Sequence, residues 1–207
     1  GREPGFVYSR IANPTVGAFE ARFTALEDGM GAIAVSSGMA AISSIVLALA
    51  GSGQEVVAGS SLFGGTYSLF QHTLGRYGIG VRFADPASPA AFRDAINDST
   101  RLVFVETIGN PKLDVPDIAA LAAVTRERGV PLVVDSTVTT PFLVQPKRLG
   151  ADLIVHSTSK FINGHGNAIG GVIVDAGTFD WAGPRFVHLA PYRARVGRLR
   201  LRPTGGR

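Results

Sequence analysis

The chain has 207 residues, 45% of them hydrophobic, enough for one sizeable α/β core. It holds no cysteine, which excludes disulfides and a thiolate metal site, and its longest apolar stretch, near 45–50, is far too short to span a bilayer. Its net charge of +4 is uneven: residues 181–207 carry seven arginines and no acid, whereas residues 1–180 carry 13 basic against 16 acidic side chains, so the body is mildly acidic and does not read as a nucleic-acid surface.

Residues 1–15 (GREPGFVYSRIANPT) are rich in Gly and Pro and read as an irregular arm, carrying Tyr8 and Arg10, that lies on something else. Residues 16–28 place Val16, Phe19, Phe23 and Leu26 at helical spacing, and Gly29 is expected to close that helix as its C-terminal cap. From Ala32 a regular alternation sets in. Short β-branched runs at 32–36, 55–58, 81–84, 102–106, 132–135, 153–156 and 172–174 predict seven strands, with helices between them at about 39–50, 63–77, 88–97 and 116–128. This pattern predicts an α/β fold: a mostly parallel seven-stranded sheet with helices on both faces, binding its ligand beyond the carboxyl ends of the strands. From 184 to 207 the alternation is lost and arginine recurs without a clear period. That tail reads as disordered or as a non-native end, the natural sequence then stopping near Trp181.

Four features fall at the predicted strand ends. Ser36-Ser37-Gly38-Met39 opens a helix, where free N–H groups and the helix dipole suit a phosphate; neither a dinucleotide fingerprint nor a P-loop lysine accompanies it. Asp135 ends an apolar run, where a carboxylate is costly unless a cation such as a protonated heterocycle nitrogen faces it; capping the next turn, with Thr137 nearby, is the competing role. Glu106…Asn110-Pro111 is a polar turn able to supply one amide. Lys160, in the stretch ADLIVHSTSKFINGHGNAIGG, stands at the polar exit of a buried strand beside Ser157 and Ser159. Desolvation there is expected to lower its pKa and make it an imine-forming amine, against the alternative of a loop lysine with its head in water. Phosphate site, carboxylate, amide and amine together suit pyridoxal phosphate. Phe63 offers a ring face for stacking, or a core side chain.

The order YSR-NPT, SSGMAA, LFGGTY, ETIGNP, VVDSTVTTP and HSTSKFINGHG resembles the pyridoxal-phosphate-dependent enzymes of Cys/Met metabolism over roughly residues 8–181. ETIGNPKLDV and GHGNAIGG look most like the O-acetylhomoserine sulfhydrylase branch. The resemblance implies an aspartate aminotransferase-like (fold type I) large domain over 16–183. Lys160 would be the Schiff-base lysine and catalytic proton shuttle, and Asp135 the partner of the pyridine nitrogen. Gly38, Met39, Ser157 and Ser159 would hold the phosphate, Asn110 would lie near the phenolic oxygen, and Phe63 would stack on the ring. Most members carry a tyrosine at that last position, so here the hydroxyl is lost. Tyr8 and Arg10 would reach the phosphate of a neighbouring subunit, implying a homodimer or homotetramer.

Family members are longer, and their C-terminal substrate domain, with its carboxylate-binding arginine, has no counterpart here. The implied activity is that of a transferase: γ-replacement on O-acetylhomoserine or O-succinylhomoserine with sulfide or a thiol, giving homocysteine. A cystathionine or methionine γ-lyase, or an inactive remnant of the fold, are the alternatives. No metal, nucleic acid or membrane partner is expected, and the expected location is the cytoplasm.

Overall fold

The computed structural model describes residues 5–189. Helix α1, Pro14–Leu26, starts where the Asn13 side-chain oxygen accepts the N–H groups of Thr15 and Val16. Pro14 sits at its first position, where a missing N–H costs nothing. Its far end departs from expectation. Asp28, not Gly29, takes the left-handed conformation, at φ 54°. Gly29 is needed for another reason: a Cβ there would meet Val174 Cγ1 at 2.5 Å, so the chain leaves the helix pressed against the sheet.

All seven expected strands form: β1 Gly31–Val35, β2 Glu55–Gly59, β3 Gly80–Ala84, β4 Thr100–Glu106, β5 Leu132–Asp135, β6 Leu153–Ser157 and β7 Gly171–Asp175. They make one sheet in the order β1-β7-β6-β5-β4-β2-β3. The pairings from β3 through β2, β4 and β5 to β6 are parallel. Strand β7 runs antiparallel to both β6 and β1, because the chain between β6 and β7 is the Lys160 loop rather than a crossover helix. The sheet is therefore mostly parallel, and β1 points the same way as β6.

Helices cover both faces, as the alternation predicts. Helix α2 is Gly38–Leu49; α3, Gly64–Ser68, continues through a π turn at Leu69–Thr73 and a 3-10 turn at Leu74–Tyr77; α4 is Pro89–Ala95 and α5 Ile118–Arg128. One face of the sheet (Val103, Val105, Val134, Ile154) packs on Phe23, Phe92 and Leu121 from α1, α4 and α5. The other (Val56, Phe104, Val133, Val155) packs on Ile42, Val46 and Phe70. Each such side chain contributes roughly 1.5–3 kcal/mol on burial. Since both faces are covered, the strands read as continuous apolar runs.

The body also extends beyond the expected boundary at 183. Pro184–Leu189 form a 3-10 turn that buries Phe186 against Phe179 and Trp181. Arg185 donates to the carbonyls of Asp98 and Thr100, at 3.0 Å each. The rest of the predicted tail lies outside the described residues.

Candidate active site

The carboxyl ends of β1, β4, β5 and β6 open into one cavity of about 700 Å³. Ligand sites of such sheets lie there because each strand turns into a loop at the same rim. Every predicted site residue except Tyr8 and Arg10 lines it: Gly38, Met39, Phe63, Asn110, Asp135, Ser157, Ser159 and Lys160.

At one end stands the first turn of α2. Ser37 caps it by accepting the Ala40 N–H at 3.0 Å, which leaves the N–H groups of Gly38 and Met39 and the positive end of the helix dipole at the cavity. A Cβ on Gly38 would lie 2.6 Å from Ser157 Cβ, so glycine is what lets Ser157 close against the helix end. Ser159 is more committed than expected. Its hydroxyl oxygen accepts the Gly170 N–H at 3.1 Å and its proton points back to the Gly170 carbonyl at 3.4 Å, stapling the two ends of the Lys160 loop.

Asp135 lies deeper. Its Oδ1 accepts both the N–H of Thr137 at 2.9 Å and its hydroxyl at 2.5 Å, and that hydroxyl oxygen in turn accepts the Ser157 N–H at 2.8 Å. Oδ2 makes no hydrogen bond among the described residues, and no cation pairs with it. The expected capping of the next turn is thus observed on one oxygen, and it leaves the other without a hydrogen bond among the described residues. By surface area the residue is only half-buried, because it opens onto the cavity, but the protein around the carboxyl still desolvates it. That desolvation raises it above the usual carboxylate range, against the bonds from Thr137 and the charge of His156.

Glu106, buried at the end of β4, was noticed in the sequence only as the start of a polar turn. Its Oε1 accepts the Phe63 N–H at 2.7 Å. Burial pushes this carboxyl up to about 8; the Phe63 N–H pulls it down, the neighbouring Asp135 pushes it up, and the Asn110 N–H pulls it down again. A lone acid at the exit of an apolar strand, as at Asp135, was the available signal. Phe63 itself is 46% exposed on the cavity wall, so its ring is a wall of the site rather than core. Asn110 is exposed on the same rim.

Lys160 corrects one expectation. Its side chain is exposed on the cavity wall rather than buried by the strand end, so only a group filling the cavity would desolvate it. Tyr8 and Arg10 do not reach the cavity. On the exposed arm the Arg10 Nε donates to the Tyr8 hydroxyl at 3.2 Å, with the guanidinium 5.0 Å from the ring centre. Among the described residues no group of three or more His, Asp or Glu is placed to hold a metal ion, and no helix is long and apolar enough to cross a membrane.

This donor set fits pyridoxal phosphate. A glycine-opened helix end suits a dianion, an unengaged carboxylate oxygen at Asp135 would suit a protonated ring nitrogen, and the amine of Lys160 would suit an aldehyde.

The chain is 49% identical over 185 residues to the O-acetyl-L-homoserine sulfhydrylase of Leptospira meyeri, a match covering 89% of this chain and 42% of that protein. Its fold matches the Wolinella succinogenes O-acetylhomoserine sulfhydrylase structure with a TM-score of 0.82 at 48% identity, over 91% of this chain and 53% of the other. A Campylobacter jejuni structure described as an O-acetylhomoserine (thiol)-lyase, which carries N'-pyridoxyl-lysine-5'-monophosphate, matches with a TM-score of 0.81 at 37% identity, over 84% and 43%. The chain thus spans about half the length of these relatives. The family model for Cys/Met metabolism PLP-dependent enzymes matches residues 1–192, and the chain belongs to that family.

Proposed function

We propose that this chain is the cofactor-binding part of a transferase that replaces the acyloxy group of O-acetylhomoserine with sulfide or a thiol. With sulfide, the Cγ–O bond breaks, a Cγ–S bond forms, and homocysteine and acetate leave. The observation that carries this reading is the meeting of Lys160, the free oxygen of Asp135 and the open end of α2 on one cavity. The sulfhydrylase relatives at 48–49% identity support the choice of substrate.

Bound pyridoxal phosphate supplies an electron sink for negative charge developing at the substrate α-carbon. The chain's own groups hold and direct it. The N–H groups of Gly38 and Met39, with Ser157, would take the phosphate, joined by Ser159 if its proton turns from the Gly170 carbonyl, while Asp135 would keep the ring nitrogen protonated. Phe63 covers one ring face and Asn110 lies by the phenolic oxygen. Lys160 would hold the cofactor's aldehyde carbon and would move protons at Cα and Cβ of the substrate. Phe63 has no hydroxyl, so the proton work at this wall falls to Lys160.

Tyr8 and Arg10 are paired on an exposed arm beside Phe6, Val7 and Ile11; in this reading they would serve a neighbouring subunit's phosphate, in a homodimer or homotetramer. A cytoplasmic location belongs to it as well. The test is a visible absorption titration with pyridoxal phosphate beside Lys160→Ala, followed by assay of homocysteine from O-acetylhomoserine and sulfide. A new visible band that requires Lys160 and is perturbed by O-acetylhomoserine is the expected result. No band in a chain that circular dichroism shows to be folded would overturn it.

A further inference from the structure

Glu106 lines the cavity at the end of β4 and is bonded to the wall that carries Phe63. Strand register puts it directly beside Asp135 on β5. Its Oε1 accepts the N–H of Phe63, 43 residues earlier in the chain, at 2.7 Å.

Phe63 depends on that bond. A phenyl ring has no polar group to hold it, so its place is set by its backbone. That backbone opens α3 without any side-chain cap, its carbonyl accepting the Tyr67 N–H at 2.9 Å. Buried Leu62 and the Ser60 N–H on the Ala84 carbonyl anchor the chain just before it, and the Phe63 N–H on Glu106 ties Phe63 itself to β4. The other titratable groups lining the cavity are Asp135, from β5, and Lys160, from the loop after β6. From β2, which ends at Gly59, from the opening of α2 and from the Phe63 segment, no titratable side chain lines it.

We propose that Glu106 is a positioning residue of the cofactor cradle: one buried carboxyl that holds the ring wall at Phe63 against the sheet beside Asp135. It acts on the cofactor through the Phe63 segment. The inference rests on the cofactor reading above and adds the residue that holds the cradle's ring wall.

The test measures cofactor affinity and the visible circular dichroism of the bound cofactor, which reports how its ring is held. The wild-type chain is compared with Glu106→Ala, Glu106→Gln, Phe63→Ala and the Glu106→Ala/Phe63→Ala double variant. Expected are binding weakened about tenfold or more and a diminished dichroic band for Glu106→Ala, as for loss of a buried acceptor. Glu106→Gln, which keeps an oxygen for the Phe63 N–H, should bind within about threefold of wild type. If Glu106 acts through Phe63, the double variant should be no more than about threefold weaker than Phe63→Ala alone.

Wild-type affinity and dichroism in Glu106→Ala, or two single effects that simply multiply, would overturn the proposal. Should Glu106→Ala fail to fold, Glu106→Gln decides: near-wild-type binding supports the proposal, and a folded variant with tenfold weaker binding sinks it. A wild-type chain that binds no cofactor removes the functional reading and this inference together, whereas a binding wild type with indifferent Glu106 variants removes only the inference.

Discussion

Glu27, just past the end of α1, and His156, on β6, meet at 2.6 Å with neither side chain exposed, although 129 residues separate them. Glu27 Oε2 and His156 Nδ1 have no hydrogen-bond partner among the described residues, so each side chain's polar pairing depends on this one bond. The contact ties the helix that follows the N-terminal arm to the strand that delivers Ser157 and Lys160. Removing one partner leaves the other polar group buried and unpaired, which costs about 3–5 kcal/mol. Glu27→Ala and His156→Ala should each lower denaturant stability by that order. A paired replacement by Leu and Met should cost clearly less than either single change, and a larger loss in the pair would count against the contact as the cause.

Raised carboxyl pKa values make the folded chain hold protons that the unfolded chain releases. For Glu106, whose ordinary value of 4.5 rises to about 8 on folding, the two states bind protons alike below pH 4.5. Between pH 4.5 and about 8 the unfolded chain loses its proton first, so stability falls as pH rises, by at most about 1.4 kcal/mol per unit for one group. Above about 8 the fall from this group is complete. Asp135 adds in the same direction. Urea unfolding of the cofactor-free chain between pH 5 and 8.5 should show this decline, and Glu106→Gln should flatten it. An equal slope in the variant would assign the decline elsewhere.

Lys160 should separate stability from cofactor chemistry. Its side chain is exposed, so Lys160→Ala should change unfolding stability by no more than about 0.5 kcal/mol while abolishing the visible band with pyridoxal phosphate. A large stability loss would mean that the side chain supports the loop.

Gly38 should show the reverse. Its missing Cβ makes room for Ser157, so Gly38→Ala overpacks the helix end and should cost about 1–3 kcal/mol. Because Ser157 is then pushed from the α2 N-terminus, affinity for pyridoxal phosphate should fall more than affinity for phosphate-free pyridoxal. Equal losses for both ligands would place the damage away from the phosphate end.

Much of the architecture was legible as pattern. Runs such as 102–106 and 153–156 are bulky and apolar because strands covered on both faces must be, and the sheet's existence and its site-bearing rim follow from that local requirement. Asp135, Lys160 and the Ser37-Gly38 turn stood out because each sets a polar or small residue at the end of such a run. The antiparallel return of β7 was not legible, since strand direction depends on how the chain crosses the sheet rather than on the run itself. Nor was the burial of Phe186, which depends on Phe179 and Trp181 being nearby in space.

What the sequence alone determined is the set of elements and the chemical character of each strand end, because burial of a run and capping of a turn are decided within a few residues. Tertiary packing decided which side chains hold one another: Glu106 with Phe63 across 43 residues, Glu27 with His156 across 129, and Lys160 open to the cavity rather than buried. Such pairs leave no periodic trace, since their energy comes from a shared dry environment that exists only once the sheet and its helices have closed around it.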